Sequence, residues 1–397
     1  MKKITAILLA VMMIMLPVSV LATEKEEIYP FAFAFEEFWY TETAVLEDIL
    51  PCKAALLMEA DSGKILFSQN ETEKLPIASV TKIMTTLLVM EALDSGKLSL
   101  TDTVTVGEEA AHMGGSQVYL EVGEQISVDD MLKALIVVSA NDATVAMAEH
   151  LAGSESSFVA QMNARAGELG MTETHFANCH GLNEDGHYSC ARDVAIMTRE
   201  LLKHPKVLDY TGIWMDTIRG GAFGLANTNK LIRFYNGANG MKTGFTDTAK
   251  YCLSGTAKRD GMQLIAVIIG ADTSEIRFAS AKKLLDFGFA NYAVKTPEPQ
   301  PVEPITVNGG KQPFVKLTYT PLSILVEKGA GLPEQRIEIP ESLDAPVVTG
   351  DKVGRVVYYS GDNVVGETPI YAADTVEKNT FFHVFGNILK RIVGITD

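Results

Sequence analysis

A chain of 397 residues, 47% of them hydrophobic, is long enough to bury a full core and to form more than one domain, which excludes a disordered tail. Its 34 basic and 50 acidic side chains give a formal net charge of −16, which argues against a nucleic-acid partner, because phosphate backbones are held through an excess of lysine and arginine. Four cysteines, Cys52, Cys179, Cys190 and Cys252, are too few to scaffold a chain of this length.

Residues 1–22, MKKITAILLAVMMIMLPVSVLA, set Lys2 and Lys3 before an apolar run that ends in the small Ala22, the pattern of a signal peptide cleaved after that residue. A permanent anchor fits less well, because the run is short for a bilayer span of about 20 residues and Pro17 interrupts it. Residues 23–50, with YPFAFAFEEFWYTE, read as an acidic, aromatic N-terminal arm without an assigned function.

From residue 51 to 294 the pattern is that of one compact domain. AALLMEA and ILFSQ flank DSGK, whose Asp61, Ser62 and Gly63 supply the turn of a hairpin. Apolar residues then recur every three or four positions over 78–94, 128–138, 142–152, 155–169 and 191–203, which predicts five helices. Ser127 is placed to cap the second, with Asp129 and Asp130 in its first turn. GMKTGFT, KYCLSGTAK and QLIAVIIGA read as three strands, followed by a helix from Ser274 to about Phe289. Strands at both ends of the domain and helices between them predict an α+β fold, with one antiparallel sheet of about five strands and helices on its faces.

The four prolines of KTPEPQPVEP, residues 295–304, end this pattern and read as a linker. Short β-rich runs over 305–375, separated by Gly, Pro and Asn, predict a small all-β sandwich. In residues 376–397, Phe381, Phe385, Ile388, Leu389 and Ile392 follow helical spacing while Lys390 and Arg391 fall elsewhere, so an amphipathic helix is expected. It lies beyond a complete domain and is basic in an acidic protein, which favours a membrane surface over docking on the body.

An unassisted serine hydroxyl is a poor nucleophile, and lysine activates it only where burial or nearby positive charge lowers the lysine pKa. Ser79 and Lys82, in KLPIASVTKIMTTLL, are three apart and share a helical face. Pro76 places Ser79 in a first turn, and IMTTLLVMEAL is apolar on most faces, so Lys82 is expected in a core where an ammonium is costly. The same spacing recurs at Ser280 and Lys283, and SxN occurs both at 68–70 and at 139–141. Order separates these: only Ser79, Ser139 and Lys242 give SxxK, then SxN, then KTG, the set found in penicillin-recognising enzymes.

On these motifs, and on GEQISVDDMLKALIVVSANDAT, HGLNEDGHYS and AKRDGMQLIAVIIGA, the chain resembles the serine D-alanyl-D-alanine carboxypeptidases, low-molecular-mass penicillin-binding proteins of the S11 peptidase type. The likeness is close over about residues 52 to 292 and extends in arrangement to the β-rich tail and amphipathic end. It implies a β-lactamase/transpeptidase-like catalytic domain, with Ser79 forming the acyl-enzyme and Lys82 as its base. Ser139 would relay a proton to the leaving D-alanine, and Asn141 would hold the peptide amide and Lys82. Lys242 and Thr243 would face the substrate carboxylate, Gly244 would leave room for the peptide, and the backbone N–H groups of Ser79 and Phe245 would form the oxyanion hole. Arg277 matches an arginine near that carboxylate in relatives. The implied substrate is a peptidoglycan stem peptide ending in D-Ala-D-Ala, with β-lactams as covalent inhibitors, at the outer face of the cytoplasmic membrane.

The expected chemistry uses no cofactor and no metal. His175, Cys179, His180, His187 and Cys190 suit zinc by residue type, but HGL and GHYS belong to the family pattern, and the two cysteines are departures from it. Whether Cys179 and Cys190 pair is open from sequence. A class A β-lactamase would add an ExxLN segment, which is not found here. An endopeptidase would use the same residues on another bond, and a covalent sensor without turnover would show a broken motif.

Overall fold

The computed structural model describes residues 49–381 and 385–386. The signal peptide over 1–22, nearly all of the 23–50 arm, and most of the 376–397 helix lie outside the described residues.

Five strands form one antiparallel sheet: β1 (Ala54–Glu59), β2 (Ile65–Gln69), β3 (Ala238–Thr246), β4 (Lys250–Arg259) and β5 (Met262–Ala271), in the order β2-β1-β5-β4-β3. The first and last strands of this sheet in chain order therefore pair at its centre, where β1 lies beside β5 with Leu56 opposite Val267. Both strands are buried along their whole length, which is why AALLME and MQLIAVIIGA are continuously apolar apart from Glu59 and Gln263. Alternation then sorts their side chains. Ala54, Leu56 and Met58, with Ile265, Val267 and Ile269, join a core shared with the helices; Ala55 and Leu57, with Leu264, Ala266 and Ile268, join a second core.

The first core is filled by α1 (Lys82–Asp94), α2 (Val128–Val137), α3 (Asn141–Ala152), α4 (Glu155–Glu168) and α5 (Ala191–Leu202). The second is closed by α6 (Ser274–Asn291), through Ala281, Leu284, Leu285 and Phe289. The expected cap is present, with the Asp130 N–H donating to Ser127 Oγ at 3.1 Å. The expected helix over 78–94 is instead two pieces, a 3-10 turn at Ala78–Thr81 and then α1. Ala78 has a φ of +49°, which no right-handed α-helix accommodates. Ser280, of the duplicate SxxK, is buried on α6, at the other face of the sheet from α1.

Tyr292–Lys295 continues past α6 as a strand and pairs with Ile324–Glu327, so the proline-rich segment starts at 296 rather than 295. Residues 305–372 then hold strands and no helix, with a three-stranded sheet built on Ile305–Asn308 and a four-stranded sheet built on the Lys352–Ser360 and Asn363–Ala372 hairpin. Each has its own small core, around Val307 and Val347 and around Val356 and Tyr358. Among the described residues no helix is long and apolar enough to cross a membrane.

Candidate active site

Three segments converge between the sheet edge and the helices: the 3-10 turn before α1, the α2–α3 junction, and β3. Ser79 sits in the turn and Lys82 opens α1. Lys82 is fully buried, and its Nζ lies 3.1 Å from Ser79 Oγ, to which it donates when it is an ammonium, and donates to Asn141 Oδ1 at 2.6 Å and the His180 carbonyl at 2.7 Å. Burial pushes its pKa down to about 7, with Cys179 and Asp142 pulling the other way.

Asn141 is fixed from behind. Its Nδ2 donates to the Gly114 carbonyl at 2.7 Å, which turns Oδ1 toward Lys82, and its own N–H donates to Ser116 O at 2.7 Å. The next residue, Asp142, was not singled out from the sequence, yet it is buried and accepts from the N–H groups of Val118 and Leu120, at 3.0 and 3.1 Å, and of Ala143 at 2.9 Å. It ties the 114–120 loop to the start of α3. Asp142→Ala leaves these donors buried and unpaired, and we expect a loss of about 3 kcal/mol in urea-unfolding stability together with slower acylation. Native stability in that variant would remove Asp142 from the account.

Ser139 lies at the α2–α3 junction at a φ of +63°, nearly buried, and its hydroxyl has no protein hydrogen-bond partner among the described residues. With Ala78, this makes two non-glycine residues in the left-handed region, each costing about 1–3 kcal/mol, on either side of Lys82.

On β3, Lys242 is buried and donates through Nζ to Thr243 O at 2.8 Å, and burial, reinforced by the charges of Lys82 and Arg277, holds its pKa well below the usual lysine value. Thr243 Oγ1 shares a 2.7 Å hydrogen bond with Thr228 Oγ1. Gly244 has a steric duty within the protein itself: a Cβ there would lie 2.8 Å from Ile77 O and 3.0 Å from Ser79 N. Its bareness lets β3 lie against the Ala78–Thr81 turn. The Phe245 side chain is half-exposed and packs against Tyr251, with ring centroids 4.4 Å apart and planes tilted by 37°. Arg277, from α6, donates through Nη1 to Gly244 O at 3.1 Å and Cys252 O at 3.2 Å, so it grips the strand backbone; burial lowers its pKa to about 10.

The histidine and cysteine cluster serves local hydrogen bonding. His175 Nδ1 pairs with Gly186 O at 2.7 Å, His180 Nδ1 accepts from Leu182 N at 3.1 Å, and Cys179 and Cys190 are separate buried thiols. Sequence reasoning missed His180 as a ligand of Lys82 because the contact is made by its backbone carbonyl; HGL was the only signal, and it pointed to a pattern without a role. Gly181 was missed as well. Its φ is +89° and a Cβ there would come within 2.1 Å of Ala78 O.

A serine whose neighbour is a buried, weakly basic lysine, set between an antiparallel sheet and a helical cluster, defines a serine hydrolase. The family model described as D-alanyl-D-alanine carboxypeptidase, of peptidase S11, matches residues 41–273, and that of the penicillin-binding protein 5 C-terminal domain matches residues 297–378. The chain belongs to the D-alanyl-D-alanine carboxypeptidase family. It is 43% identical over 373 residues to the D-alanyl-D-alanine carboxypeptidase DacF of Bacillus subtilis, which covers 92% of this chain and 94% of that protein. The crystal structure of penicillin binding protein 5 from Haemophilus influenzae matches with a TM-score of 0.72 at 32% identity, over 84% of this chain and 100% of that one. Penicillin-binding protein D2 from Listeria monocytogenes, in its ampicillin-bound form, matches with a TM-score of 0.56 at 36% identity, over 60% of this chain and 98% of that one.

Proposed function

We propose that the protein removes the terminal D-alanine from peptidoglycan stem peptides ending in D-Ala-D-Ala, through an ester on Ser79. The observation that carries this reading is the surroundings of the Lys82 amine. A neutral amine has two protons and one lone pair, and two of its three neighbours, Asn141 Oδ1 and the His180 carbonyl, only accept. Both protons go to them, which leaves the lone pair for the Ser79 hydroxyl, 3.1 Å away.

Attack by Ser79 Oγ on the penultimate D-alanine carbonyl then passes the hydroxyl proton to Lys82. The oxyanion is stabilised by the N–H groups of Ser79 and Phe245. When the C–N bond breaks, Ser139 gives its proton to the leaving amine and takes in its place the proton that Lys82 received from Ser79, a role suited to a hydroxyl with no protein hydrogen-bond partner among the described residues. Asn141 orients the substrate amide, and Lys242 and Thr243 receive its terminal carboxylate. In that pocket Lys242 lies close to Lys82 and Arg277, and an arriving carboxylate would favour the charged form of Lys242. Arg277 supports this through its hold on Gly244. Water completes the cycle by hydrolysing the ester. A β-lactam carbonyl is open to the same attack, in keeping with the ampicillin-bound form known for the Listeria relative.

Incubation with a short D-Ala-D-Ala peptide should release D-alanine from the native chain and not from Ser79→Ala. Release from that variant at the native rate would overturn the assignment. The leader over 1–22 and the basic, phenylalanine-containing end over 376–397 support export and peripheral attachment at the outer face of the cytoplasmic membrane. A chain lacking residues 377–397 is expected to leave anionic vesicles while keeping its peptide activity; continued co-sedimentation would argue against that attachment.

A further inference from the structure

The peptide unit joining Ala78 to Ser79 is held by side chains that take no part in the chemistry above. His187 is buried, and its Nδ1 accepts from the Ala177 N–H at 3.1 Å. A ring nitrogen that accepts carries no proton, so the proton is on Nε2. Nε2–H therefore donates to Thr81 Oγ1 at 2.7 Å, and the Thr81 hydroxyl, also buried, donates to the Ala78 carbonyl at 2.8 Å. Burial lowers the imidazole pKa to about 4, with Glu184 and His175 as the charged neighbours acting in opposite directions, so the ring is neutral wherever the lysine base works.

The Ala78–Ser79 bond is trans, and in a planar trans peptide the C=O and N–H point in opposite directions. Fixing the Ala78 oxygen therefore fixes the direction of the Ser79 N–H. Two glycine segments pack close against this peptide, since a Cβ added at Gly181 would lie 2.1 Å from Ala78 O and one added at Gly244 would lie 3.0 Å from Ser79 N. A carbonyl that accepts a hydrogen bond also polarises its own peptide, and the N–H becomes a better donor by about 10–30%.

We propose that Thr81 and His187 are positioning residues for acylation: their relay holds the Ala78–Ser79 peptide so that the Ser79 N–H stays aimed at the oxyanion. This rests on the reading of Ser79 as nucleophile. Removing the relay frees a carbonyl at a strained alanine, and the peptide plane rotates toward a relaxed conformation. The cost falls on the transition state, where the oxyanion is fully charged, and hardly on initial binding.

Stopped-flow reaction with a fluorescent penicillin separates the dissociation constant Kd from the limiting acylation rate k2. Thr81→Val keeps the shape and deletes the hydroxyl. We expect its k2 to fall by about tenfold or more, with Kd changed by less than about twofold. Thr81→Ser, which restores the hydroxyl, should recover most of k2. His187→Ala should lose a similar factor, and the double variant Thr81→Val/His187→Ala no more than the worse single, because both act through one oxygen. A native k2 in Thr81→Val, a rise in Kd that accounts for the loss, or losses that multiply would each overturn the relay. Should Thr81→Val fail to fold, the Thr81→Ser and His187→Gln pair decides, since the second supplies an N–H near Nε2: a native k2 in the first and at least half of it in the second are expected, and less than a tenth in both overturns the proposal. Penicillin labelling of Ser79→Ala would instead overturn the nucleophile assignment, whatever the relay variants do.

Discussion

Lys82→Ala should slow D-alanine release by about a thousandfold or more, the upper part of the range for loss of a general base. Lys82→Arg should not rescue it, because a guanidinium does not give up its proton under working conditions. The native enzyme should also show a pH signature whose sign follows from burial. Desolvation disfavours the ammonium and brings the folded-state pKa down to about 7. The free amine is thus the majority form above that pH and the minority form below it. Acylation by a β-lactam should rise tenfold per unit as pH climbs toward about 7 and then level off. An Asn141→Asp variant sets a carboxylate where Oδ1 lies 2.6 Å from Nζ, which favours the charged amine and moves the midpoint upward. A flat native profile between about pH 5 and pH 9 would remove Lys82 from the role of base.

Much of this arrangement was legible in the chain because local chemistry dictates it. Asp61, Ser62 and Gly63 turn the first hairpin, Ser127 caps α2, and the continuous apolar runs of β1 and β5 mark strands buried on both faces. Ser79, Lys82, Asn141 and Lys242 were found through order, and the structure sets Lys82 at hydrogen-bond distance from Ser79 and Asn141, with Lys242 close enough to feel its charge. What the sequence concealed depends on contacts between distant segments. Alanine at 78 carries no sign of a left-handed backbone, so the turn at Ala78–Thr81 looked like the start of a helix. Lys82 is held by a backbone carbonyl 98 positions away, and main-chain acceptors leave no residue-type signature. Thr81 and His187, 106 positions apart, each look like ordinary polar residues until the fold joins them. The hairpin of Met215–Ile218 and Phe223–Ala226 also went unread, since its strands have four residues each and little apolar alternation.

Gly181→Ala should disable the site more completely than any other single methyl group. At a φ of +89° the new side chain is strained by about 1–2 kcal/mol, and its Cβ would sit 2.1 Å from Ala78 O, 2.4 Å from Ala78 C and 2.9 Å from Ser79 N. Those are backbone atoms, and β3 packs close against the same turn, where a Cβ added at Gly244 would lie 2.8 Å from Ile77 O and 3.0 Å from Ser79 N. The only relief is to move the 180–182 backbone. That carries away the His180 carbonyl, which holds the Lys82 amine at 2.7 Å, so one collision disturbs Lys82 and Ser79, the proposed base and nucleophile, together. We expect acylation to fall at least about a hundredfold, since a displacement near 1 Å costs that much. Thermal unfolding should drop by about 2–4 °C for each kcal/mol lost. Gly186→Ala is the control: its φ is +80°, but the nearest atom to a new Cβ is His175 Nδ1 at 3.8 Å. It bears the backbone strain without the collision, so it should lose a little stability and acylate at close to the native rate. Equal acylation by the two variants would mean that strain in the loop, and not contact with the nucleophile turn, is what Gly181 relieves.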